Sequence, residues 1–182
     1  MLTKFAGAAI AALIMILSSM APSQAETGRE IDNRVNATLE HFYRHVRGGN
    51  DLAARARGVL VFPSIIKAGL GFGGEYGEGA LRINGQTDGY YNSVSASVGF
   101  QLGIETRSVV ILFMTDEALT NFRKTDGWKV GVDGSVAVIT LGAGAAVDTA
   151  KITSPVVGFI LDPKGLMYNL TLEGSKISRI QR

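Results

Sequence analysis

The chain has 182 residues, a formal net charge of +2 and no cysteine. That length suits one domain with a real hydrophobic core, and near-balanced charge argues against nucleic-acid binding by bulk electrostatics. The absence of cysteine excludes a disulfide framework and a thioether-linked lipid anchor, so stability must come from ordinary apolar burial.

The first 25 residues differ from the rest. Residues 5–17 (FAGAAIAALIMIL) form an apolar run behind Lys4, and Ser23-Gln24-Ala25 offers small residues at the two positions a signal peptidase reads. The pattern predicts a secretory signal peptide over 1–25, cleavage after Ala25, and a single domain over 26–182 that is exported to the periplasm or secreted. A membrane span is not expected, because the run is shorter than the ~20 residues needed to cross a bilayer. Lys4 is the one charged residue of this leader, so the remainder holds 17 basic against 16 acidic residues.

Ile31, Val35, Leu39, Phe42 and Val46 follow at spacings of four, four, three and four, which predicts an amphipathic helix ending at Gly48-Gly49. Asn50 or Asp51 is expected to cap a short second helix through Ala56. From Gly58 the period changes to two. Residues 59–63 (VLVFP) predict a short strand stopped by proline, with a turn over 64–68.

Residues 69–79 (GLGFGGEYGEG) hold six glycines and contain the spacing G-x-G-x-x-G at Gly69, Gly71 and Gly74. A dinucleotide loop with that spacing must open a helix, and Gly77 and Gly79 would each cost such a helix about 1 kcal/mol relative to alanine. The alternation of glycines instead predicts a strand with one nearly bare face, suited to close approach by another backbone or a helix.

Asn84-Gly85 predicts a hairpin turn. In 93–105, Val94, Ala96, Val98, Phe100, Leu102 and Ile104 alternate with serine, glycine and glutamine, and the apolar set is expected to face the core. The unbroken apolar run 108–114 predicts a strand buried on both faces. Thr115 or Asp116 should cap a helix to about Lys124. Alternating valines over 129–138 predict another strand, 140–148 is too rich in small residues to assign, and 156–161 should run into a type I turn at Asp162-Pro163-Lys164-Gly165. Leu166, Tyr168, Leu170 and Leu172 suggest a last hairpin. The expected fold is α+β: an antiparallel, strongly coiled sheet or barrel-like sandwich of about six to eight strands, with N-terminal amphipathic helices and one helix near 116–124.

Candidate chemistry is sparse. His41 and His45 stand at i, i+4 on the first helix, but two imidazoles without a third ligand or an intervening glutamate point to a helix face rather than a metal site. No G-x-S-x-G elbow is present, and Glu75, Glu78 and Asp133 read as solvent-facing charges on half-buried strands. No cofactor, metal site or enzymatic activity is expected. The segment from Arg29 to Lys67 is modestly basic, and a solvated helix face accounts for it.

Five spaced blocks, ARGVLVFPSIIKAGLGFGGEYGEGAL, YYNSVSASVGFQLG, VILFMTDEAL, VGVDGSVAV and GLMYNLTLEGSKI, together resemble the SYLF domain family over roughly residues 40–177. That family is a lipid-binding domain, also described as an actin-regulator domain. The resemblance implies a non-enzymatic module that binds anionic phospholipids peripherally. In the family an amphipathic N-terminal segment and basic residues engage the headgroups. The matching positions here are Arg34, Arg44 and Arg47 within segment 30–47, and Arg55, Arg57 and Lys67 downstream. Actin regulation is not carried over, since the leader sends the chain away from actin. Two alternatives stay open: the stripe of the first helix docks on the domain's own sheet, and the domain is a secreted or surface module with a protein partner.

Overall fold

A computed structural model describes residues 26–140, 153–165 and 172–182. The leader, most of 140–148 and the hairpin expected from Leu166 to Leu170 lie outside the described residues, as do the side chains of Val98, Phe100 and Leu102. Helix α1 spans Gly28–His45 and α2 Gly49–Arg55; strands β1 (Gly58–Ile83) and β2 (Gln86–Phe113) follow, then α3 (Asp116–Lys124), β3 (Trp128–Lys129), β4 (Ala137–Thr140), β5 (Val156–Gly165) and β6 (Lys176–Ile180). The α+β class, the N-terminal helices and the helix after residue 115 match the expectation.

Local chemistry explains the helix ends. Thr27 and Glu30 form a reciprocal capping box at the start of α1, and this hydrogen bonding holds the Glu30 carboxyl below its usual range. Thr115 caps α3 by accepting from the Ala118 amide. Neither Asn50 nor Asp51 caps α2; that position is taken by Gly48, whose φ of 75° is the left-handed conformation glycine tolerates.

β1 and β2 are one antiparallel ribbon of 26 and 28 residues, closed by the Asn84-Gly85 turn. Neither the stop expected at Pro63 nor the turn expected over 64–68 occurs. Instead the strand passes through the proline by a bulge between Phe62 and Ile65, and the Pro63 carbonyl accepts from the Ser108 hydroxyl at 2.8 Å. Proline is tolerated at a bulge because its missing N–H removes no ladder bond there. Along the other edge of β2, β6 pairs with residues 90–94 and β5 with residues 105–113, both antiparallel. β4 joins β5 in parallel, so the sheet is mixed rather than antiparallel throughout.

The ribbon curls back on itself. A Cβ built on Gly77 would lie 2.6 Å from the Ser64 carbonyl oxygen, and one on Gly79 would overlap the carbonyl of Val61. The bare glycine face therefore packs against an earlier stretch of its own strand. Between these crossing ends, residues 66–76 of β1 and 94–104 of β2 form an arch.

Each face of the sheet carries a core. On one, Val59, Val61, Val110, Leu112, Val157 and Phe159 pack under α1 and α2. On the other, Leu60, Phe62, Val109, Ile111 and Phe113 pack with α3 and Trp128. Residues 109–113 are at most 1% exposed, which fits a strand buried on both sides.

Three further expectations are corrected. Residues 130–136 make a turn, not a strand: Gly131 has φ 86°, the Val132 and Asp133 amides both bond the Lys129 carbonyl, and Val132 projects into solvent. Asp162 to Gly165 continue β5 instead of turning, with a register shift opposite Thr106–Ser108 and Asp162 at φ 47°. The described apolar side chains of 93–105 are not core. Val94 is 43% and Ile104 67% exposed, whereas Ser93 and Glu105 on the opposite face are buried.

Candidate binding surfaces

α1 is fastened to the sheet at both kinds of contact. Ile31, Val35 and Phe42 are fully buried, and the Phe42 ring meets Phe159 edge-on at 5.0 Å between centroids. Beside that stripe, Asp32 accepts from Tyr90 at 2.9 Å and from Thr87 at 2.8 Å, and pairs with Arg82 at 3.2 Å. Arg82 also donates to Asn36 at 2.9 Å. Burial, reinforced by the Asp32 carboxylate, raises the Tyr90 phenol above its ordinary value. Of the alternatives for the stripe, docking on the domain's own sheet is the one adopted.

The outward side of the two helices is polar. Arg34, Arg44, Arg47, Arg55 and Arg57 are all exposed; Arg34 pairs with Glu26, and Arg57 reaches Asp116 at 3.4 Å. These five residues share the helical segment and its exit, but Lys67 does not join them. It is 7% exposed, on the inner side of the arch.

The histidines stack on each other at 3.9 Å, with His41 Nε2 2.7 Å from Asp162 Oδ2 and His45 Nδ1 2.9 Å from the His41 carbonyl. Among the described residues no cluster of three metal-ligating side chains occurs.

The arch holds what sequence reading missed. Its inner face buries an ion cluster in which Arg107 donates to Glu75 at 2.7 Å and to Glu105 at 2.9 Å. Glu75, read from sequence as solvent-facing, is 5% exposed. Nothing local signals this, since Glu75 and Arg107 lie on different strands and meet only when the ribbon coils. Glu78 is partly exposed and bonded to Arg182 and Tyr76; burial pushes its carboxyl up, but those hydrogen bonds outweigh it and the net shift is downward.

Among the described residues, two of the clefts are open to solvent. One of about 320 Å³ lies between the helices and the hairpin, lined by Asn36, Tyr43, Asn50, Arg82 and Asn84. The other, about 270 Å³, lies at the start of α3 beside Trp128. Neither lining includes a histidine or a cysteine, and no helix among the described residues is long and apolar enough to cross a membrane.

Comparison with known proteins adds the family. Residues 94–182 match the Ysc84 family, described as "Las17-binding protein actin regulator". The human and rat proteins named "SH3 domain-containing YSC84-like protein 1" are each 31% identical over 128 residues, covering 67% of this chain. The protein of that name from Xenopus laevis is 32% identical over 130 residues. The chain spans 37% of the length of the human protein and 38% of the frog one.

Proposed function

The chain carries a Ysc84, or SYLF, domain, a family of binding and regulatory rather than catalytic modules, and from that premise we propose that it is a non-enzymatic, peripheral phospholipid-binding domain. Anionic headgroups are contacted by the outward face of α1 and α2. The observation that carries this reading is the exposure of Arg34, Arg44, Arg47, Arg55 and Arg57 on a helical layer whose apolar side is already occupied by the sheet. With its stripe buried, α1 does not insert as an amphipathic helix would; it displays charge. Lys67, shielded under the arch, takes no part in headgroup contact. The proposal includes export, with the domain beginning near Glu26 after loss of the leader. Mass spectrometry of the chain from its native host should give an N-terminus at Glu26, and a retained Met1 would cancel that element.

Vesicle co-sedimentation tests the lipid reading. Each basic residue near an anionic surface contributes about 1 kcal/mol, so the double change Arg34→Ala, Arg44→Ala should weaken binding to anionic vesicles by roughly tenfold or more. Its stability should change little, as exposed substitutions usually cost under about 0.5 kcal/mol. Unchanged binding by the double variant would take the arginines out of headgroup contact, and failure of the unaltered chain to bind either neutral or anionic vesicles would favour a protein partner instead.

A further inference from the structure

The arch is inside out for a sheet in water. Its inner side buries Glu75, Glu105 and Arg107, while its outer side presents Ile66 at 52% exposure, Phe72 at 79%, Tyr76 at 48%, Val94 at 43% and Ile104 at 67%. Two cross-strand pairings bring four of these outward residues together. Tyr76 is registered with Val94, and Ile104 with Ala68, two positions from Ile66. A half-buried strand in water places its polar positions outward, and apolar-out, polar-in alternation is the arrangement found where the outer medium is hydrocarbon. Exposed apolar side chains grouped on one face in this way mark an interaction site.

The rim identifies the partner. The row through Tyr76 and Val94 continues across the sheet to Lys176 and Lys129, and the row through Ile66 and Thr106 continues to Lys164. All three lysines are exposed. Glu78, the acidic residue next to Tyr76 on this face, is neutralised by Arg182. An apolar centre bordered by lysines complements a bilayer with anionic headgroups, in which the rings and aliphatic side chains enter the acyl boundary and the ammonium groups meet the phosphates. A second copy of the chain fits less well, because a two-fold contact through this patch would set the lysine rims against each other.

We propose that the outer face of the β1–β2 arch, centred on Phe72 and Ile104, inserts shallowly into anionic membranes. The inference rests on the phospholipid-binding reading above and adds to it a second surface, apolar in character, that α1 does not supply.

The chain contains a single tryptophan, Trp128, and it is 1% exposed. Phe72→Trp therefore adds one exposed reporter over a buried background. The variant would be mixed with vesicles of phosphatidylcholine and phosphatidylglycerol carrying brominated acyl chains. The expected result is a blue shift and quenching for Phe72→Trp, neither for the unaltered chain, and at least a tenfold loss of binding for the double variant Phe72→Ser, Ile104→Ser, since each side chain buried in an apolar medium contributes well over a factor of about ten. Binding of the Phe72→Trp chain without quenching would overturn insertion while leaving the headgroup reading in place. Failure of the unaltered chain to bind any vesicle would remove both. A lipid-free dimer in sedimentation that Phe72→Ser dissolves would assign the face to self-association and overturn the proposal.

Discussion

Gly79 shows how much one missing side chain can decide. The ribbon closes on itself only because residues 77 and 79 leave space for the backbone at Val61 and Ser64, and a methyl at 79 would meet a carbonyl oxygen and the Phe62 ring. Backbone cannot rotate away as a side chain can. Gly79→Ala is therefore expected to cost at least the ~1–3 kcal/mol typical of overpacking. Gly74 is the internal control: a Cβ there has its nearest neighbour at 4.0 Å, so Gly74→Ala should be close to neutral. Urea denaturation of both variants checks the contrast, and equal stability would mean the curl is not held by this approach. The sequence stretch 69–79 revealed a strand and a bare face, since both follow from a period of two. Which backbone fills that face was not legible, because its partner begins some fifteen residues earlier in the same strand and meets it only through the bend.

At the scale of an element, α1 is the instructive case. Its stripe from Ile31 to Val46 is plain in the sequence, but the same amphipathic pattern serves a sheet or a lipid surface equally well. Here the sheet offers Val61, Leu112 and Phe159, and the Asp32 network with Arg82 and Tyr90 adds polar fastening. If that docking holds the helix, Phe42→Ala should lower the unfolding free energy by about 3–5 kcal/mol, the usual range for a buried phenylalanine. Amide exchange over 28–45 should accelerate with it. A cost under about 1 kcal/mol would place α1 as a loosely resting element, free to leave the sheet. Strand β2 teaches the complementary lesson. Its alternation over 93–105 was legible, but period two carries no sign: Val94 and Ile104 define a face without saying whether it looks inward. The ion cluster of Glu75, Glu105 and Arg107 decides the sign, and its members are spread over two strands. Valine alternation over 129–138 failed for a local reason, since Gly131 in the left-handed region admits a turn that valine spacing does not reveal.

For the whole molecule, net charge is near balance, so attraction to a membrane must come from local patches rather than an overall field. Two such patches of different chemistry are proposed, the arginines of α1 and α2 and the lysine-rimmed apolar arch. Their dependence on salt differs. Exposed charge is screened beyond about 10 Å at 0.1 M ionic strength and about 3 Å at 1 M, while burial of Phe72 and Ile104 in acyl chains is not weakened by salt. Binding to anionic vesicles should therefore fall steeply as salt rises and then level off at a residue carried by the arch. Arg34→Ala with Arg44→Ala should lower the low-salt limb and leave that plateau unchanged. Phe72→Ser with Ile104→Ser should remove the plateau and keep the slope. Since the two pairs share no contact, the quadruple variant should show additive losses within about 0.5 kcal/mol. Titration of vesicle binding at several salt concentrations for the four chains reads all of this at once, and an unaltered chain whose binding vanishes completely at high salt would leave the arch without a part in it.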